Sequence, residues 1–331
     1  MTSVNHNVQA LRAIAAYLVV GHHIIFTLRE YFGAHDLVPD LKFGSSGVPI
    51  FFVISGYIMM FVAAAKPQSP QAFAWHRIVR IVPTYWLLTA VAVVGIDVVG
   101  LQIFGLRSVD SRAILTSLFF LPDIRDGVRA IDPILYVGWS LNYEMMFYLI
   151  FCLCLFFRTT FPRFVAVMTA IIILWIAGHV SSSPYLRYYG SNIVLAFAAG
   201  GFIWLMTTRF KLPRSIAAAV FCVAWVGIVW PDLSPSSSDS AKSFVTILAA
   251  TAIVYSAVSL NDNGFTVGDG FLSEQGASSY ALYLVHPFVL QFFSKLARAY
   301  MSLSPIPLVI GAACLFVASV VAAMVFYRFV E

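Results

Sequence analysis

Three ionisable side chains interrupt the first apolar stretch, LRAIAAYLVVGHHIIFTL: Arg12, His22 and His23. Groups of this kind are expensive in hydrocarbon, so inside a membrane segment they mark a functional site by default. Arg12 and His23 are eleven residues apart, which on a helix is about 16 Å of rise and a shared face to within about 20°. That face carries a cation near one membrane surface and a titratable imidazole well inside. A neutral imidazole near pH 7 is suited to taking a proton from a hydroxyl, which makes His23 the candidate general base. His22 lies about 100° around the helix and does not share that role, so it is the weaker candidate. A structural histidine bonded to a backbone carbonyl is the alternative for both.

Arg77 and Arg80, in RIVRIVPTYWLL, are three apart and so adjacent on a helix face. Guanidinium groups suit phosphates, and these two read equally as a cofactor-binding pair or as basic anchors at a membrane surface. Arg12 poses the same choice, with snorkelling as its plainer role. Glu144 lies in the apolar run WSLNYEMMFY. A carboxylate there must pair or protonate, and an Arg or His from another helix is its expected partner. Trp139, Asn142 and Tyr143 share that run and are candidates for substrate binding, because aromatic faces suit sugars and amides orient hydroxyls. His286 precedes Pro287 in a late apolar segment. Its candidate roles are catalysis, substrate binding or a structural place at a proline kink. Two adjacent histidines on one helix make a poor metal site, and no third ligand is suggested by spacing. Cys152, Cys154, Cys222 and Cys314 all fall in apolar segments and read as small core residues.

The elements that must hold these groups follow from composition. Of 331 residues, 60% are hydrophobic and 11% charged, whereas about a quarter of a soluble domain is charged. The mean hydropathy is +0.87. A helix needs about 20 largely apolar residues to cross a bilayer. The sequence offers about ten such segments, roughly 8–29, 44–65, 81–105, 139–157, 164–180, 192–207, 215–230, 243–260, 280–301 and 307–327. The expected fold is all-α, a polytopic transmembrane helical bundle, forming one domain over 1–331. The first segment lacks a basic stretch ahead of it and a cleavage site, and reads as a retained helix rather than a signal peptide. The net charge of +5 is modest and requires no nucleic-acid partner.

Short loops carry Lys66, Arg77 and Arg80, then Arg158 and Arg163, then Arg209, Lys211 and Arg214, all on one side of the expected topology. That excess places both termini in the cytoplasm. The opposite side holds a long mixed-charge segment, 106–138, with Arg107, Arg112, Arg125 and Arg129 among Asp110, Asp123, Asp126 and Asp132. Such a loop suggests an opening to a site rather than a topology signal. The Gly-rich segment 261–279 reads as a linker, without phosphate-loop or calcium-loop spacing.

In this order, LRAIAAYLVVGHH, GVPIFFVISGYIMM, RIVRIVPTYWLL, WSLNYEMMFYLI and SSYALYLVHPFVL resemble the acyltransferase 3 family of integral-membrane acyltransferases. The island WSLNYEMMFY is most similar to that of exopolysaccharide O-acetyltransferases. The resemblance implies transfer of acetyl from acetyl-CoA to a sugar hydroxyl of a polysaccharide or a lipid-linked oligosaccharide, in the bacterial inner membrane. It implies acetyl-CoA as donor with no tightly bound cofactor, and functional roles for Arg12, His23, Arg77 and Arg80. It also implies an acidic site residue in the fourth island, matched by Glu144. Relatives often carry Asp where this chain has Pro49, so an Asp-oriented base is not expected here; Glu30, Asp36 or Asp40 are the substitutes. Relatives also commonly continue beyond the position of Glu331. Ser55 and Gly56 read as a close helix contact, and with no Gly-x-Ser-x-Gly elbow the transfer is expected to be direct. The competing readings are transfer of another acyl group such as succinyl, another acceptor, and a proton-coupled secondary transporter using His23, Glu144 and His286.

Overall fold

The computed structural model describes residues 5–125, 129–267, 270–297 and 304–331. Among them nine helical segments are long and apolar enough to cross a membrane. The first, α1 (His6–Phe26), starts at Asn5, whose side chain accepts the Val8 N–H as a helix cap, and runs on through a π turn, Thr27–Tyr31. Then come α2 (Gly47–Ala65) and α3 (Pro70–Val93). On the far side of the bundle a short helix, α4 (Ser111–Leu118), leads into an antiparallel hairpin, β1 (Asp123–Arg125) and β2 (Arg129–Ile131). The chain continues through α5 (Trp139–Cys154), α6 (Thr160–Val180), the short α7 (Pro184–Tyr189), α8 (Leu195–Arg209), α9 (Arg214–Leu233) and α10 (Asp239–Asp262). It ends with α11 (Phe271–Ala277), α12 (Ser279–Ala297) and α13 (Pro305–Val330).

The expected span over 280–301 corresponds to α12, and residues 298–301 lie outside the described part. At 19 residues α12 has the length to cross. It falls short of the other nine in apolarity because it carries His286, Gln291 and Lys295. Those polar groups are accommodated by protein, since α12 packs against α1, α3 and α13. A second difference concerns α3, which begins eleven residues before the expected 81. Ser69 caps it by accepting the Ala72 N–H, and Pro70 occupies its first turn, where a missing N–H costs nothing. Arg77 and Arg80 consequently sit inside a membrane helix, not in the loop before it. The third difference is the Gly-rich 261–279 segment. It contains α11, and Gly276 packs so tightly on the backbone of Gln9 in α1 that no side chain would fit.

The core is aromatic and dry. Phe52 of α2, Phe147 of α5 and Phe197 of α8 stack in series, each pair 4.3 Å apart. Gly56 of α2 and Gly200 of α8 meet backbone to backbone, the small-residue contact expected of TM helices. α1 runs through the middle, touching α2, α10, α11, α12 and α13. Its Asn7 amide donates to the Ala257 and Phe265 carbonyls at 3.1 and 2.8 Å and accepts the Val267 N–H at 2.6 Å. That buried residue fixes the end of the helix from which Arg12 projects.

Candidate active site

Two chambers open along α1. The inner one, about 100 Å³, is lined by Arg12, Arg77, Arg80, Glu144 and Tyr148, with Ser140, Tyr280 and Tyr283. The outer one, about 650 Å³, is lined by His22, His23, Glu30, Asp132, Tyr136 and Trp139, among others. The eleven-residue spacing read from the sequence thus sets Arg12 in one chamber and His23 in the other.

Four of the predicted residues converge in the inner chamber from three helices: Arg12 from α1, Arg77 and Arg80 from α3, Glu144 from α5. None of the three arginines makes an ion pair with Glu144. The Glu144 carboxylate accepts instead from the Tyr148 hydroxyl at 2.5 Å, one helical turn on. The expected cross-helix partner is therefore a tyrosine of its own helix. Arg12 donates to Gln9 Oε1 at 3.3 Å. Arg77 lies over the rings of Phe73 and Tyr148, 5.5 and 5.7 Å from their centroids, and its buried Nε has no hydrogen-bond partner. The Arg163 Nε is unpartnered in the same way, so it is the cavity in front of Arg77 rather than the orphan atom that distinguishes it. Three guanidiniums, with the hydrogen-bonded Glu144 carboxylate among them and the Glu331 carboxyl within electrostatic reach of Arg12 and Arg80, make a net cationic cluster with forks suited to phosphate.

The outer chamber is built on imidazole. His23 Nδ1 lies 3.0 Å from His286 Nε2, with the rings stacked at 5.1 Å, and His286 Nδ1 lies 2.9 Å from the Leu282 carbonyl. His286 is fully buried. Tyr136 meets His23 edge to face at 5.1 Å, and Phe104 meets Tyr136 the same way at 5.5 Å. Phe104 adopts φ 51°, an unusual backbone for a bulky residue, held by the Gln291 side chain accepting its N–H at 3.0 Å. His22 turns away and contacts the Leu41 carbonyl at 3.4 Å.

The carboxylates named as substitutes for an Asp do not orient His23. Glu30 reaches the outer chamber, yet its ion-pair contact is His35 at 3.8 Å, while Asp40 lies 3.8 Å from Lys42. Trp139 lines the outer chamber, but Asn142 and Tyr143 line neither. Both are buried against α7: the Tyr143 hydroxyl donates to the Tyr188 carbonyl at 2.5 Å, and the Asn142 amide donates to the Tyr188 hydroxyl at 3.3 Å. They brace α5 rather than face a cavity. Residues missed in the sequence are Tyr148, Tyr280, Tyr283, Tyr136 and Phe104. Tyr148 could have been found, since it follows Glu144 by four residues on one helix face. Between the chambers stands Tyr283, its hydroxyl 2.9 Å from the Val137 carbonyl and 2.7 Å from Ser140 Oγ.

The mixed-charge segment by the outer chamber uses its charges internally. Asp123, with 4% of its side chain exposed, sits between Arg112 at 3.0 Å and Arg125 at 2.7 Å, and Arg125 also reaches Asp110 at 2.8 Å. The Ala113 N–H and Arg125 hold the Asp110 carboxyl below the usual carboxylate range. Asp126 and the Arg129 side chain lie outside the described residues. Among the described residues no three His, Cys, Asp or Glu converge to hold a metal.

A family model described as an acyltransferase domain, the acyltransferase 3 type, matches residues 5–328. The chain belongs to that family. Acyltransferase 3 relatives include the "Exopolysaccharide production protein ExoZ" of Rhizobium meliloti (strain 1021), 30% identical over 279 residues, covering 83% of this chain and 84% of that one. Another is the "Putative membrane-bound transacylase BcsY" of Komagataeibacter xylinus, 30% identical over 299 residues, covering 85% of this chain and 71% of that one. No solved structure matches the chain significantly. The acyltransferase 3 chain is thus a multi-pass membrane protein whose relatives are linked by name to exopolysaccharide production and transacylation.

Proposed function

We propose that this protein transfers acetyl from acetyl-CoA to a sugar hydroxyl of an exopolysaccharide or its lipid-linked precursor, with His23 as general base. One observation carries the reading: three arginines that make no ion pair among the described residues and a titratable histidine open into two chambers about three helical turns apart along α1. Arg12, Arg77 and Arg80 would receive the phosphates of coenzyme A. The pantetheine arm would run past Phe51, Ser55 and Tyr283, bringing the thioester toward His23. Glu144 fixes Tyr148 and tempers the positive charge.

The acceptor would enter the outer chamber, where Trp139, Tyr136 and Phe104 offer ring faces and Glu30 and Asp132 offer acceptors for sugar hydroxyls. In the transfer, the hydroxyl oxygen attacks the thioester carbonyl as His23 takes its proton. The C–S bond breaks, and the imidazolium returns the proton to the departing thiolate. The products are the acetylated sugar and free coenzyme A. The name of the R. meliloti relative supports a polysaccharide acceptor, and membership of an acyltransferase family favours group transfer over the proton-coupled transporter. Basic residues at the arginine end support a cytoplasmic position for that end and for both termini, in a bacterial inner membrane.

The test is transfer of labelled acetyl from acetyl-CoA to surface polysaccharide in membranes holding equal amounts of wild type or His23→Ala. Labelling by wild type and none by the variant is expected. Normal labelling by the variant would remove His23 as base, and none by wild type would remove the donor or acceptor. Labelling from succinyl-CoA alone would select the other acyl group.

A further inference from the structure

The contact between His23 and His286 has a direction. A carbonyl oxygen can only accept, so His286 Nδ1, 2.9 Å from the Leu282 carbonyl, carries a proton and donates it. In a neutral imidazole the other nitrogen is then an acceptor, and His286 Nε2 accepts from His23 Nδ1 at 3.0 Å. His23 Nδ1 is protonated as a result, and the lone pair is left on His23 Nε2. His286 is fully buried, and both of its nitrogens are engaged, so none remains for a substrate. The groups facing the pair are His22, Tyr136 and Tyr283, all in ring contact with one or the other.

We propose that His286 is a positioning residue: it locks His23 in the Nδ1–H tautomer, aims His23 Nε2 at the hydroxyl, and steadies the imidazolium as it forms. The inference rests on the acyltransfer reading above. It gives a second imidazole the place that a carboxylate occupies behind the histidine of a Ser–His–Asp triad. During transfer the hydroxyl proton goes to His23 Nε2 and from there to the thiolate, while the Nδ1–H···Nε2 bond to His286 shortens and lengthens without passing its proton on. A carboxylate at Pro49 is not needed for this arrangement. Pro287 supports it: having no N–H, it leaves the Tyr283 carbonyl without its helical donor, loosening α12 where His286 must turn toward α1.

The experiment compares His286→Phe, which removes the acceptor, with His286→Gln, whose side-chain oxygen can stand near the lost Nε2. Each is assayed at equal membrane abundance for kcat and for KM toward acetyl-CoA. His286→Phe is expected to lower kcat on the order of a hundredfold with KM little changed, and His286→Gln to recover most of that loss. Equal activity of His286→Phe and wild type would overturn the proposal. So would loss in both variants to the same degree, or a change confined to KM. A second readout needs no activity: nitrogen-15 spectra of histidine-labelled protein, with the His23 signals assigned by difference against His23→Ala. They are expected to show Nδ1 protonated and Nε2 bare in wild type and His286→Gln, and not in His286→Phe. An Nε2–H tautomer in wild type would sink the lock. If the spectra hold and wild type transfers no acetyl, the lock stands and the acyltransfer reading falls.

Discussion

Arg163 and Arg77 are both guanidiniums carried by membrane-spanning helices, and the fold treats them in opposite ways. Arg163, near the start of α6, is 4% exposed and donates to the carbonyls of Ala63, Phe157 and Arg158 at 3.1, 2.9 and 3.4 Å. It ties off the C-terminal ends of α2 and α5, where carbonyls lack helical donors. Arg77 lies on α3 among aromatic rings with open cavity in front of it; both arginines leave a buried Nε unpartnered, so the difference lies in the carbonyls that Arg163 holds and the cavity that Arg77 faces. Arg112 and Arg125 make a third case, spent on Asp123 and Asp110 in the outer segment. The contrast teaches that charge in a membrane protein is informative only with its partners. An arginine whose terminal nitrogens are spent on carbonyls is architecture, and one that opens into a cavity is placed to meet a ligand.

The comparison breaks most visibly if the two are exchanged in effect. Arg77→Ala should raise KM for acetyl-CoA about ten- to a hundredfold, the worth of a charge-assisted phosphate contact, with the thermal midpoint unmoved. Arg163→Ala should do the reverse, stranding carbonyls at a cost of about 2 kcal/mol, so that melting temperature and membrane abundance fall while KM holds. A melting shift in the first or a KM shift in the second would contradict the assignment. A finer test keeps the charge. Arg77→Lys should raise KM a few-fold, on the order of a tenth of the alanine effect, because a point charge replaces a bidentate fork.

Asp123→Asn carries a smaller expected effect on turnover. It releases Arg112 and Arg125, so proteolysis within 106–138 should quicken and acceptor labelling fall a few-fold, with KM for acetyl-CoA unchanged. A change in that KM would join the outer segment to the donor site. The smallest effect is of pH on the same segment. Hydrogen bonds to its carboxylate hold the Asp110 pKa below its unfolded value, so its contribution is present above the unfolded pKa and is lost as pH falls through the folded one. Opening of 106–125, read as amide exchange divided by the intrinsic exchange rate at each pH, should be flat from pH 8 to about 5 and rise only in stronger acid. A rise near pH 6 would implicate a histidine instead.

Much of this was legible in the sequence, for a reason that also explains the failures. Long apolar segments announce themselves because lipid demands them, so among the described residues eight of the nine long apolar helices lie close to their expected places, and α3 starts eleven residues early. Arg12, His23, Arg77, Arg80 and Glu144 stood out because each is costly where it sits. Partners were harder. His286 and His23 are 263 residues apart, and no local spacing couples them. The partner of Glu144 was sought on another helix, while Tyr148 stood one turn away. Asn142 and Tyr143 looked like site residues because polar groups in a span draw attention. Burial against α7 engages the Tyr143 hydroxyl and the Asn142 amide N–H instead. α12 is harder to judge by apolarity, since it carries a buried His286 and Ser294 together with a half-buried Gln291 and an exposed Lys295 that both donate to the Gln102 carbonyl.

The central claim is that donor binding and proton transfer live at opposite ends of one stretch of α1. Equilibrium binding of coenzyme A to purified wild type, His23→Ala and Arg77→Ala, set beside acetyl transfer by the same preparations, tests it most directly. The account predicts that His23→Ala binds coenzyme A as wild type does and transfers nothing, whereas Arg77→Ala binds at least about tenfold more weakly. Lost binding in His23→Ala, or unchanged binding in Arg77→Ala, would contradict it.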